Sequence, residues 1–364
     1  MAKGSKKEGG GIGELLAYAG DRKFLTYLGM ALSAFSQLLS FGPYVCIWLV
    51  ARDLIAVAPN WSEATDIAMY GWWAVGFALA SIVVYFVGLM CTHLSAFRCA
   101  SNIRKATSEH LLKLPLGYFD MHATGELRRI VDGCAASTET LLAHMLPDIA
   151  GATAMVVGLL VLLFALDWRL GAACLISVVV SFCAMATMMS GKGAEFMKAY
   201  MGALVKMNKT GTEYVRGIPV VKVFQQTVYS FKAFHDAIAE YADMAQNYAG
   251  TFCRGPQVLN LTALNGLVAF LLPVALLLAP GETDFAHFMV NFTFYAIFSA
   301  VVPTAMTKLM FVGEASQMSA DSLARIRSVM DSKQLSVPAQ PKHPAGSDVR
   351  FEDVSFTYEG AEAP

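Results

Sequence analysis

The side chains able to do chemistry are few, and their spacing excludes most reactions. Seven histidines (93, 110, 122, 144, 235, 287 and 343) include no H-E-x-x-H pair, and no G-x-S-x-G nucleophile turn occurs, so neither a zinc protease nor a serine hydrolase has a visible site. Seven cysteines lie in or beside apolar runs without any C-x-x-C spacing, which reads as neither a disulfide framework nor a zinc site. Met90-Cys91-Thr92-His93 collects three soft-metal ligand types, but Cys91 and His93 are two apart and do not share a helical face, so packing or a hydrogen-bonded polar group is the reading preferred over a metal site. Ser190-Gly191-Lys192-Gly193 lacks the G-x-x-x-x-G-K-[ST] spacing of a phosphate-binding loop. No catalytic residue and no metal ligand set is expected.

What remains is polar chemistry inside and beside long apolar runs, where charge is costly and turns toward protein or water. Arg98 and Arg254 flank the inner ends of two such runs and Lys308 and Glu314 follow a third, while His93, Asn260, Asn265 and Asn291 lie within runs. These residues either line an inward pathway for a polar or anionic small molecule, or act as snorkelling anchors and helix-to-helix hydrogen bonds. Both readings stay open in the sequence.

Six stretches free of Asp, Glu, Lys and Arg must position them: residues 24–51, 67–97, 149–166, 170–191, 255–281 and 285–307. Each is as long as the roughly 17 to 20 residues that cross a hydrocarbon core as a helix. With 56% hydrophobic and 15% charged residues, the chain reads as a multi-pass all-α protein of a lipid bilayer. Its net charge of −1 gives no basic field for nucleic acid. The alternate connections between runs hold only Arg52 and Arg169 of the 27 Lys and Arg, so both termini are expected in the cytoplasm, in a cell (inner or plasma) membrane. Nineteen methionines and 23 phenylalanines give a pliable apolar interior.

The inward connections, residues 98–148 and 192–254, are long and carry apolar residues at three-and-four spacing, as in Phe196, Tyr200, Leu204 and Met207. Each reads as a helical stalk, a reversal and a stalk back. Breakers place the first reversal at Leu114-Pro115-Leu116-Gly117-Tyr118-Phe119-Asp120, before Thr124-Gly125-Glu126-Leu127, and the second at Gly217-Ile218-Pro219 through Val223-Phe224. Exposed aromatic and aliphatic groups at such tips need a partner.

Six spans, short outward turns and the reversals PLGYFD…TGEL and GIPVVKVF together resemble the membrane domain of an ATP-binding-cassette (ABC) transporter of the exporter fold. The resemblance implies that the reversals are coupling helices docking on nucleotide-binding domains through Tyr118, Phe119, Val223 and Phe224. It also implies a second half-transporter, as homodimer or heterodimer. After a proline-spaced linker, the run Val349 to Tyr358 reads as a strand and resembles the start of an ATP-binding cassette, in which Tyr358 would stack on adenine. The domains are thus expected as tail 1–23, six-helix domain with stalks 24–332, linker 333–347 and cassette start 348–364. ATP and Mg²⁺ belong to the complete protein, an ATP-hydrolysing translocase, because this chain holds no Walker A, Walker B or signature motif; it is expected to be a fragment of a longer one. The run Thr138 to Asp148 resembles half-transporters that include siderophore importers, which sets import of a metal chelate beside export of a drug, lipid or peptide. A non-enzymatic membrane receptor or assembly subunit on the same scaffold is the competing function.

Overall fold

The computed structural model describes residues 11–223, 232–335 and 346–355, and every regular element among them is helical. The chain divides into two compact units, one of residues 1–40, 76–155 and 307–364, the other of 41–75 and 156–306.

The first unit opens on α1 (Gly11–Ala17), followed by α2 (Lys23–Leu39). Ile12, Leu15, Leu16 and Ala19 recur at helical spacing, and the last three are buried in the unit's core. The stretch expected as a tail is therefore packed structure from Ile12 onward. Its partners belong to the inner part of α4 (Ile67–Leu111), where Ala96, Cys99, Ala100 and Ile103 form the facing stripe. The Cys99 thiol donates to the Leu15 carbonyl (3.1 Å), and the Asn102 amide donates to that of Tyr18 (2.7 Å). Leu141, Leu142 and Leu146 complete the core with Leu323 and Ile326 of α15 (Val301–Met330). Arg327 of α15 also pairs with Glu14 of α1. At 1.5 Å per residue the 45 residues of α4 span about 67 Å, far more than a bilayer core of roughly 30 Å, so this helix carries both a span and a stalk.

Two glycines set the spacing of α2 against α4. A Cβ on Gly29 would lie 2.4 Å from the Thr92 methyl and 2.6 Å from the Gly88 carbonyl oxygen, so only hydrogen fits.

In the second unit, α3 (Gly42–Val57) packs on α14 (Phe285–Phe298) through aromatic rings. Phe298 meets Phe41 at 5.7 Å and Tyr44 at 5.6 Å. The outer turn joins α8 (Leu146–Ala165) to α9 (Trp168–Met189). The fully buried Tyr295 donates its hydroxyl to the Leu163 carbonyl (2.6 Å) and accepts the Asp167 N–H (3.0 Å). Asp167 caps α9 by accepting the Arg169 N–H, and the Arg169 guanidinium binds Asp167 (3.0 Å) and Glu282 (2.5 Å), tying both outer turns together. Burial raises the Asp167 carboxyl, but the Arg169 side chain and the capped backbone N–H outweigh it and hold the group below the ordinary carboxylate range. A lowered folded value means stability that is present above about pH 4 and lost as pH falls through it. Arg169→Ala is expected to cost about 1 to 3 kcal/mol at neutral pH. Thermal unfolding at neutral and acidic pH checks this, and the difference between variant and parent should shrink in acid.

Span counting gives five or six passes, with two of the six apolar runs interrupted. Among the described residues five helices are long and apolar enough to cross a bilayer, and a sixth pass results if a bent pair counts as one. The first run breaks at Ser40-Phe41, between α2 and α3. The fifth consists of α12 (Arg254–Leu264) and α13 (Leu272–Leu278), preceded by α11 (Lys232–Gln246); the segments on either side of Asn265 are bent by 74°. Asn265 leaves the helix and its amide donates to the Leu261 carbonyl (2.8 Å), while the Ser177 hydroxyl inserts against the Ala263 carbonyl at 2.5 Å. A Cβ on Gly266 would meet that hydroxyl at 2.4 Å, so glycine admits the insertion.

Residues 349–355 form no strand. Val349, Phe351 and Val354 are exposed, and a strand with no neighbouring strand has neither ladder partners nor a face to bury.

Candidate functional site: a docking tip and a polar pathway

The first reversal lies where expected. Pro115 adopts an extended backbone before α5 (Leu116–Met121), and His122 returns to extended geometry before α6 (Thr124–Arg128). Tyr118 stacks on His122 at 4.1 Å, Phe119 meets Tyr118 edge-on at 5.8 Å, and the His122 Nδ1 lies 2.9 Å from the Tyr118 carbonyl. This ring stack stiffens a six-residue helix that is too short to be stable alone. Leu112 (86%), Leu116 (85%) and Met121 (84%) are almost fully exposed, and Phe119 is 42% exposed. The tip therefore presents an apolar surface that the unit does not cover.

The second reversal differs from its sequence-based placement. α10 (Lys192–Val223) runs through Gly217-Ile218-Pro219 without a break. Pro219 removes one helical hydrogen bond, but packing against α11 holds the helix: Tyr200 meets Tyr241 at 5.3 Å, Tyr214 stacks on Phe234 at 5.5 Å, and Lys206 pairs with Glu240 at 2.5 Å. Val223 is 76% exposed at the end of α10, while Phe224 and Tyr358 lie outside the described residues.

The pathway candidates fall in both units. His93, half-buried, meets His144 edge-on at 4.7 Å and Phe97 at 5.5 Å. Among the described residues no group of three His, Cys, Asp or Glu is placed to hold a metal ion. Arg98 is exposed and lines a cavity of about 300 Å³ with Arg22, Asp21 and Asn102, and Arg254 is exposed at the start of α12. Asn260 is buried, accepting the Ser181 hydroxyl at 2.5 Å. Asn291 is buried too, accepting the Trp48 N–H at 3.1 Å and meeting the His287 ring nitrogen at 3.2 Å. Both thus bond side chains within the second unit, and Asn265 serves its own helix at the bend.

Lys308, named above beside its run, belongs to a polar set whose other members escaped the sequence reading. Lys308 Nζ donates to Gln37 Oε1 at 2.8 Å, and the Tyr85 hydroxyl donates to Asp148 Oδ1 at 2.9 Å. Scanning for charge hides it, because Gln37 and Tyr85 are neutral and Asp148 and Lys308 each define where an apolar run stops.

Residues 26–302 match the family described as the ABC transporter transmembrane region. The chain belongs to that family. The ABC membrane domain is similar to the mycobactin import ATP-binding/permease protein IrtA of Mycolicibacterium smegmatis, 26% identical over 66% of this chain and 27% of that protein. It is also similar to IrtA of Mycolicibacterium thermoresistibile, 24% identical over 90% of this chain and 36% of that protein. The ATP-dependent lipid A-core flippase of Photobacterium profundum is 22% identical over 83% of this chain and 51% of its own length. The chain spans roughly a quarter to a third of the IrtA proteins. With its long apolar helices this is a multi-pass membrane domain of the ABC exporter fold.

The glycine-lysine cluster at residues 190–193 is built as a turn. Gly191 (φ 53°) turns the chain between α9 and α10, and a Cβ on Gly193 would lie 2.2 Å from the Met188 carbonyl oxygen, so these glycines serve a tight turn rather than a phosphate cradle.

Proposed function

We propose that the chain is the membrane half of a dimeric ATP-driven transporter that moves a small amphiphilic molecule by alternating access. The observation that carries this reading is the apolar tip of α5, an exposed surface at the end of a rigid helical stalk, on a family scaffold. Tyr118, Phe119, Val223 and Phe224 are its docking contacts on the nucleotide-binding domains, and the stalks act as levers between those domains and the spans. Tyr358 is assigned to adenine stacking in the cassette-bearing protein, where ATP and Mg²⁺ supply the free energy. Both termini are placed in the cytoplasm.

Import of a metal chelate is favoured over export, because two of the relatives described above are named for mycobactin import. The experiment is ATP-dependent flux in vesicles carrying the cassette-bearing protein, with labelled mycobactin and a labelled lipid A glycolipid offered in turn. Mycobactin movement toward the cassette side is expected. Movement of the glycolipid alone would replace import with flipping, and ATP-independent behaviour toward both would favour a receptor or assembly role.

A further inference from the structure

Four helices of the first unit bring polar groups together well inside the apolar runs. Tyr85 lies twelve residues before Phe97, about 18 Å along the helix from the inner end of its run, and Gln37 lies thirteen residues beyond Phe24. The Ser33 hydroxyl donates to the Pro147 carbonyl at 2.7 Å, and Gly151, one turn beyond Asp148, packs against Ser33 and Gln37 so closely that a Cβ would sit 3.0 Å from each. α2, α4 and α8 are thereby held in contact at this level, and α15 joins them through the bond from Lys308 to Gln37. Asp148 and Lys308, which bound their own apolar runs, thus stand beside positions well inside the runs that hold Gln37 and Tyr85.

We propose that Lys308, Gln37, Tyr85 and Asp148 form a binding site for the anionic group of an amphiphilic substrate, with Lys308 as its counter-charge. The proposal rests on the transport reading above and names the substrate class. An ammonium has three N–H donors; Gln37 takes one, and among the described residues no carboxylate comes within 4.0 Å of Nζ. Gln37 is a neutral acceptor, and Asp148 acts on Lys308 through space without a direct pair. Asp148 is exposed beside these runs, and a carboxylate against lipid is costly, so this face turns to protein, water or a bound polar group. Tyr85 takes up one Asp148 oxygen and orients the carboxylate. Ile82, one turn from Tyr85, is exposed and apolar, which supplies a surface for a hydrocarbon part. A carboxylate or phosphate on an alkyl or aryl body offers Lys308 a charged acceptor, and the negative charge of Asp148 limits its affinity so that the ligand can leave.

The test uses the chain in phosphatidylcholine nanodiscs with cis-parinarate as fluorescent probe, corrected for empty nanodiscs, and dodecanoate, dodecanol and dodecylammonium as competitors. Dodecanoate should displace the probe where dodecanol and dodecylammonium do not. Lys308→Gln should weaken parinarate about ten-fold or more, and Lys308→Arg should keep it within about three-fold, since the charge-assisted bond is lost in one and retained in the other. Asp148→Asn should tighten it, which a merely structural role for the carboxylate would not do. Nanodiscs containing phosphatidylglycerol separate the sources: competition by that lipid identifies a bilayer headgroup, and its absence identifies a soluble amphiphile. Unchanged affinity in Lys308→Gln, or no tightening in Asp148→Asn, overturns the site; the second arm decides if Lys308→Gln fails to fold. No arm uses ATP, so failure here leaves the transport reading to the flux experiment.

Discussion

Gly171→Ala is expected to prevent the outer hairpin of α8 and α9 from closing, with a loss of at least about 3 kcal/mol, at the upper end of what overpacking costs. A Cβ at this position would sit 1.9 Å from the Leu163 carbonyl oxygen and 2.7 Å from its carbon. The obstacle is backbone, so no rotamer change relieves it. Moving that carbonyl would also break the bond from Tyr295, which is buried and has its hydroxyl committed at this turn. Gly202 in α10 is the control: nothing lies within 4 Å of its would-be Cβ, and Gly202→Ala should stabilise by up to about 1 kcal/mol through helix propensity. Thermal unfolding of the two variants in the same detergent should move in opposite directions. A Gly171→Ala protein with the parent's unfolding temperature would mean that the hairpin is held apart in the membrane.

The passes were legible in the sequence because exclusion of charge from hydrocarbon is a local property that each run displays by itself. The breaks were less so. At Asn265 the bend depends on Ser177, a residue 88 positions earlier, whose hydroxyl takes a carbonyl away from the helix. The opposite error occurred at Gly217-Ile218-Pro219, where strong helix breakers were outweighed by the aromatic packing of α10 on α11. Ile12, Leu15, Leu16 and Ala19 carry the helical period openly, but α1 is only seven residues long and has meaning only once Cys99 and Asn102 are known to face it. As for the site, the α5 tip was legible from its breakers. Of the Lys308 cluster only Lys308 itself was, since a scan that stops at each charge gives no sign of which helices bring Gln37, Tyr85 and Asp148 together. His93, for which packing or a polar contact is preferred over a metal on sequence grounds, packs against a second imidazole and Phe97.

The second large effect is expected at the α5 tip. In the cassette-bearing protein, Leu116→Asp combined with Phe119→Ala should lower ATP-driven transport by about ten-fold or more, on the scale set by losing an apolar anchor at a domain interface. Leu116 is almost fully exposed, so a carboxylate there costs the membrane domain little by itself. Placed against an apolar groove, the same carboxylate would be desolvated without a partner, which is where the loss arises. Phe119 contributes an edge-on contact with Tyr118, and its truncation leaves the stack of Tyr118 on His122 in place. The unfolding temperature and ATP affinity of the double variant should therefore stay close to those of the parent while flux falls. Parental flux in a folded double variant would show that the tip is simply solvated. A parallel fall in unfolding temperature would show that α5 stabilises the first unit rather than coupling it, and transmission would then have to run through the hairpin of α10 and α11.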